Sequence, residues 1–186
     1  MKKFLFTILL ISTLSLSACS KQQDSTASPE DLIVVLPDGK ELSFYMPHGD
    51  AAEILGAADY TDTYILGGKR YVYEDLGLDV GYKDGLLAYI NVKRASSCSL
   101  KNGLNSFSGK SDFVKAGFSD GNYGDKYYLI SDGSHIPSTE CPEAEFSFRS
   151  VVSLFVLPSY SEADSPSFEG YSITIMDQYC TKYGWD

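Results

Sequence analysis

The chain is short of cations, histidine and tryptophan: 15 Lys and Arg face 25 Asp and Glu among 186 residues, with two His and one Trp. Too few cations argues against a nucleic-acid partner, because binding one requires a basic patch. His48 and His135 stand far apart in sequence, and no His-x-x-x-His or Cys-x-x-Cys spacing occurs, so zinc has no ligand set. A nucleophilic cysteine would need one of those two histidines beside it in space. Gly170-Tyr171-Ser172 begins like a nucleophile elbow, but Thr174 stands where the second glycine is required. Gly67-Gly68-Lys69-Arg70 lacks the upstream glycine of a phosphate loop. Asp120, Asn122 and Asp125 come near calcium-loop spacing, yet Gly124 is misplaced and the closing bidentate Glu is missing. Glu140, Glu143 and Glu145, set around Cys141-Pro142, are more simply the solvated acids of a loop than a glycosidase pair. No catalytic residue, metal site or cofactor is expected.

The chain also lacks an apolar run long enough to span a bilayer. The longest, Phe4 to Leu16, falls below the roughly 17 residues that a crossing helix needs. Lys2 and Lys3 precede this run and Leu16-Ser17-Ala18-Cys19 closes it, which describes a cleaved secretory signal peptide over residues 1–18. The closing tetrapeptide resembles the lipobox of bacterial lipoproteins. That resemblance implies diacylglycerol on the Cys19 thiol, cleavage before it, and usually acylation of the new amino group. Two or more acyl chains give stable membrane anchoring where one is marginal. Ser20 follows the cysteine in place of the Asp that retains many such proteins on the inner membrane, so the resemblance implies the outer membrane, facing the periplasm, if the source is Gram-negative.

Residues 19–30 carry no aromatic and no periodicity, and read as the acylated cysteine plus a flexible tether. Residues 31–186 have the length of one ordinary domain, with no second linker. The net charge is −10, and losing Lys2 and Lys3 takes the processed chain to −12. Such a surface repels phosphate and anionic headgroups as a whole, serves solubility, and favours a basic partner. In an oxidising compartment Cys98, Cys141 and Cys180 remain after Cys19 is acylated; one pair and one free thiol are expected, with three pairings open.

Alternation and turn chemistry predict an α+β fold, an antiparallel β-sheet with short helices packed on one face. Leu32–Leu36 and Leu42–Met46 flank Pro37-Asp38-Gly39-Lys40 as a hairpin. Ala51–Leu55 is a short helix that Asp50 can cap and Gly56 ends. Tyr64–Leu66 and Lys69–Glu74 surround Gly67-Gly68 as a second hairpin, and Leu78–Tyr82 returns as Leu86–Val92 through Lys83-Asp84-Gly85. Ser111 can cap Asp112–Ala116, after which Tyr127–Ile130, Glu145–Arg149, Val151–Leu157 and Tyr171–Ile175 read as strands. Helix followed by strands thus occurs twice, over 42–94 and 103–160. This is either a repeated unit or the alternation common to small antiparallel α+β domains.

The stretch from Ala51 to Val92, with Leu76-Gly77-Leu78-Asp79-Val80-Gly81-Tyr82-Lys83-Asp84-Gly85-Leu86 at its centre, resembles the repeat of small envelope lipoproteins related to the outer-membrane assembly factor BamE, and the similar unit of the β-lactamase-inhibitor-protein fold. Those families bind proteins and do not catalyse reactions. Each uses two helices per unit where this chain has one, and no binding residue carries over. The 14 tyrosines are the other excess, and Tyr60, Tyr64, Tyr71, Tyr73 and Tyr89 cluster in sequence as a candidate recognition surface, or else as sheet packing. The expected function is a lipid-anchored envelope protein that binds a protein partner, in assembly or as an inhibitor or immunity protein. The alternative is an envelope hydrolase whose site is assembled from distant residues.

Overall fold

Alternation along the strands sorts side chains between the two faces of the large sheet, and its central strands are buried on both. In the computed structural model, residues 29–64, 68–118, 124–129, 135–136, 151–160 and 168–177 are described. A 3-10 turn at Pro29–Leu32 leads into β1 (Ile33–Val35), β2 (Glu41–Ser43), α1 (His48–Leu55), β3 (Tyr60–Tyr64), β4 (Gly68–Tyr73), β5 (Leu78–Lys83) and β6 (Leu86–Val92). Then follow β7 (Ser99–Leu100), α2 (Lys110–Lys115), β8 (Gly124–Leu129), β9 (His135–Ile136), β10 (Val151–Tyr160) and β11 (Phe168–Asp177). The fold is α+β and every strand pair is antiparallel. There are two sheets: a small one ordered β2-β1-β7 and a large one ordered β3-β4-β5-β6-β11-β10-β8-β9. The last strand of each helix-then-strands run, β6 and β11, meet at the centre of the large sheet.

Register assigns the faces. Val80 lies opposite Ile90, which lies opposite Ile175, which in β10 meets Leu154. All four are fully buried, together with Leu78, Val92, Ile173 and Val152. Onto this face pack Ala51, Ile54 and Leu55 of α1, Val34 and Leu42 of the small sheet, and Phe113 of α2. Phe113 meets the Tyr171 ring at 5.1 Å and the Phe118 ring at 5.5 Å, both edge-on. At roughly 2 kcal/mol for each fully buried aliphatic side chain, this single core holds both sheets and both helices together.

Two helix starts differ from the sequence expectation. α1 begins at His48, with Pro47 at the N-cap and no side-chain cap, so Asp50 sits inside the first turn, where its charge favours the helix dipole. The chain before it is already committed: Tyr45 N donates to Leu87 O, Leu87 N to Met46 O, and His48 N to Gly85 O, each at 2.8–2.9 Å. α2 starts one residue before Ser111, and Gly109 N donates to Asp112 Oδ2 at 3.0 Å. The expected strand Glu145–Arg149 and the tips of several loops lie outside the described residues.

The loop 101–109 locks onto β11 just beyond the end of its pairing with β6. Tyr171 N donates to Ser106 O at 2.8 Å, and Gly170, at φ +121°, leaves the room for that approach: a Cβ there would lie 2.7 Å from Ser106 O. Gly170→Ala meets both a disfavoured φ and a backbone clash. It should lower the unfolding free energy by ~2 kcal/mol or more. Urea titration checks this, with a reduced midpoint at unchanged slope as the expected result.

Candidate functional site: a polar row across the helix-free face

On the opposite face of the large sheet no helix packs among the described residues, and the register aligns polar side chains there. Asp62 lies opposite Arg70, Asp79 opposite Asn91, and Asn91 opposite Thr174. These side chains join across β3, β4, β5, β6 and β11. Arg70 Nη2 donates to Asp62 Oδ2 at 2.6 Å, and Arg70 Nη1 stands 3.6 Å from Asp79 Oδ2. Asn91 Nδ2 reaches Asp79 Oδ2 at 3.4 Å, and Thr174 Oγ1 donates to Asn91 Oδ1 at 3.0 Å. Lys93 Nζ lies 2.7 Å from Asp79 Oδ1, at an angle that makes it an ion pair more than a directed hydrogen bond.

Asp79 is the floor of the row, with its side chain 1% exposed, while Asp62, Arg70 and Lys93 reach solvent. A buried carboxylate is tolerable only where cations and donors replace its water. Here two cations do so, and with Asp62 the four charges sum to zero. The Arg70 guanidinium, followed by the Thr63 amide, holds the Asp62 carboxyl below its ordinary value. Arg70 Nε is buried without a partner. The row is an ordered polar floor with its Asp62–Arg70 end open to solvent.

The tyrosines grouped by sequence do not form one surface. Tyr60, on edge strand β3, is 46% exposed and stands at a helix-free register position opposite Val72. Tyr64 closes β3 opposite Gly68. Tyr71 and Tyr73 belong to the helix-bearing face, and Tyr73 is buried in the core. Tyr89 is buried on the other side with Ala88 and Met176. Of the four whose burial is described, Tyr60 is the most exposed. Asp62, Arg70, Asp79 and Lys93 were not anticipated, because no motif spells a row that exists only through strand register.

Below α1 lies a second cluster. The His48 ring sits 4.2 Å from the Tyr82 ring and 5.7 Å from that of Tyr71, and Tyr71 meets Tyr82 edge-on at 5.3 Å. The Tyr82 hydroxyl is buried with no hydrogen-bond partner, and burial pushes its acidity far toward the neutral form. Cys98 is a free thiol, buried, and also shifted upward by burial. Its Sγ lies 3.6 Å from Leu76 O, and its amide N donates to Ser96 Oγ at 3.0 Å. Cys141 and Cys180 lie outside the described residues, as do Cys19, Asp120, Asn122 and Glu140, Glu143 and Glu145. Among the described residues no cluster of His, Cys, Asp or Glu has metal-binding geometry, and no helix is long and apolar enough to cross a membrane.

No protein family, curated protein or solved structure matches the chain. Its function therefore rests on its own residues.

Tyr82→Phe removes an unpartnered buried hydroxyl and should raise stability by ~1 kcal/mol; a loss in thermal or urea melts would show that the hydroxyl has a role. The acidities of Tyr82 and Tyr73, lowered by burial, mean that stability is complete below pH ~10 and falls as pH rises above it, since only the unfolded chain gives up those protons there. Tyrosinate absorbance from these two should appear together with loss of the far-UV signal, and the Tyr82→Phe protein should resist alkali better. Cys98 should be inert to a thiol reagent in the native protein and react once the chain is unfolded. Rapid native labelling at Cys98 would contradict its burial.

Proposed function

We propose that this chain is a lipid-anchored envelope protein that binds a basic protein partner, without catalysis, at the β3 end of the helix-free face. The observation that carries this reading is the exposed Tyr60 on edge strand β3, on the same face as Asp62 two residues on, beside a polar row already ordered before any partner arrives. An aromatic ring beside a carboxylate offers a cation both charge and a π face, and an edge strand offers main-chain groups to an added strand. Because Asp62 is held by Arg70 and Asp59 accepts the Glu74 amide at 2.7 Å, little side-chain freedom is lost on binding. The net charge of −10 steers a basic partner toward the protein at low salt.

The anchor is the lipobox cysteine, Cys19, and the residues to Glu30 are its tether. The compartment that follows is the envelope, with the outer membrane facing the periplasm in a Gram-negative source.

The test is affinity capture with the full-length protein extracted from membranes in mild detergent. One partner should be retained, and retention should fall with salt. Tyr60→Ala combined with Asp62→Lys should weaken retention at least tenfold, whereas Lys40→Ala, on a turn of the small sheet, should leave it unchanged. Equal retention by all three proteins, or turnover of peptidoglycan, ester or peptide by a protein that captures nothing, would overturn the reading. Cys19→Ala should move the protein from the membrane to the soluble fraction; persistence on the membrane would overturn the anchor.

A further inference from the structure

The overall charge hides a segment of the opposite sign. From 93 to 118 the chain carries Lys93, Arg94, Lys101, Lys110 and Lys115 against one acid, Asp112, a net of +4 in a chain of −10. The same segment contains Phe107, 69% exposed, the most exposed large hydrophobic side chain among the described residues, and Val114, 38% exposed on α2. Lys93 is committed to Asp79, but Lys101 and Lys115 are paired only through solvent-exposed contacts, with Glu41 at 3.1 Å and Asp112 at 3.8 Å. Exposed pairs of this kind are worth little and rearrange readily.

The segment also lies where the chain enters the fold. The 3-10 turn at Pro29–Leu32 is tied to it by Asn102 Nδ2 donating to Asp31 Oδ1 at 2.6 Å and by Lys101 N donating to Ile33 O at 3.0 Å. The ten peptide steps from Cys19 to Pro29 span at most about 36 Å when extended, and about 17 Å on average for a random coil of that length. A lipid at Cys19 therefore holds this end of the domain within contact of the bilayer.

We propose that loop 101–109 and α2 form a docking surface for an anionic lipid bilayer, with Lys101, Lys110 and Lys115 at the headgroups and Phe107 inserted at the interface. The proposal rests on the lipid-anchor reading for its geometry. Each lysine near an anionic surface adds to the attraction, and the exposed Phe107 ring adds apolar surface to bury at the interface. The tether supplies the high local concentration that a surface of three cations needs. The acidic remainder is repelled by the same headgroups, so the attraction orients the domain as well as holding it.

The test uses the acylated protein, reconstituted in vesicles of phosphatidylglycerol with phosphatidylcholine and, separately, in phosphatidylcholine alone. Amide exchange across 106–116 should slow about tenfold on the anionic vesicles only, and the protection should vanish in high salt. The variant Phe107→Ser/Lys110→Glu/Lys115→Glu should lose the protection while keeping the parent's thermal midpoint. Equal exchange on both vesicle types, or equal protection of the variant, overturns the docking surface. Intact mass reports separately on Cys19: if it carries no diacylglycerol the anchor reading fails. Docking is then decided by co-sedimentation of that same chain, which binds anionic over zwitterionic vesicles if the surface is real and neither if it is not.

Discussion

The four-residue register between Tyr89–Val92 of β6 and Ile173–Met176 of β11 is the constraint on which the rest of the structure depends. It joins the strands that follow α1 to those that follow α2, and it sets the parity of every side chain in the large sheet. In this register Ile90, Val92, Ile173 and Ile175 all face the helices and are fully buried. A slip of β11 by one residue would send Thr174 into the core and Ile173 and Ile175 to the other face. Hydrophobic burial on one side and the Thr174–Asn91 hydrogen bond on the other select the same alignment.

The buried Asp79 extends that selection outward. A carboxylate at a fully buried strand position contributes little net stability, since its desolvation offsets most of what its cations return. Its value is in specificity. Asp79 is satisfied only when Lys93 and Asn91 of the adjoining hairpin arm and Arg70 of β4 are all in place. Arg70 serves because its planar fork can hold Asp62 with one nitrogen while facing Asp79 with another; a lysine there would have one nitrogen for both. The polar row thus aligns strands that apolar residues alone would leave free to slide, and the same rigidity makes its exposed end a defined surface.

What was legible in the sequence was local. The hairpin of β5 and β6 was expected within a residue of its bounds, since alternation and the Lys83-Asp84-Gly85 turn are written in consecutive residues. The first hairpin was equally plain, because Asp38 accepts from the Lys40 amide and Gly39 takes a left-handed φ of 83°. The small sheet was not seen as separate: its third strand is two residues, Ser99 and Leu100, recruited by β1 across more than sixty positions. The tyrosines misled for a geometric reason. Tyr71 and Tyr73 share one parity and Tyr60 pairs into the other, while the irregular register between Gly81 and Tyr82 shifts the frame around Tyr89. Closeness in sequence does not imply a common face.

Charge distribution follows from the same two-sided architecture. α2 packs through Phe113 and Tyr171 on the helix-bearing side, together with the small sheet and the start of the domain, whereas Asp62 and Tyr60 stand on the helix-free side. Cations are concentrated over residues 93–118, next to the chain's entry to the fold, a grouping that the net charge conceals. On the anchor reading proposed above, a positive segment beside the tether would turn this side of the domain toward an anionic bilayer, where a uniformly acidic domain would have no preferred orientation.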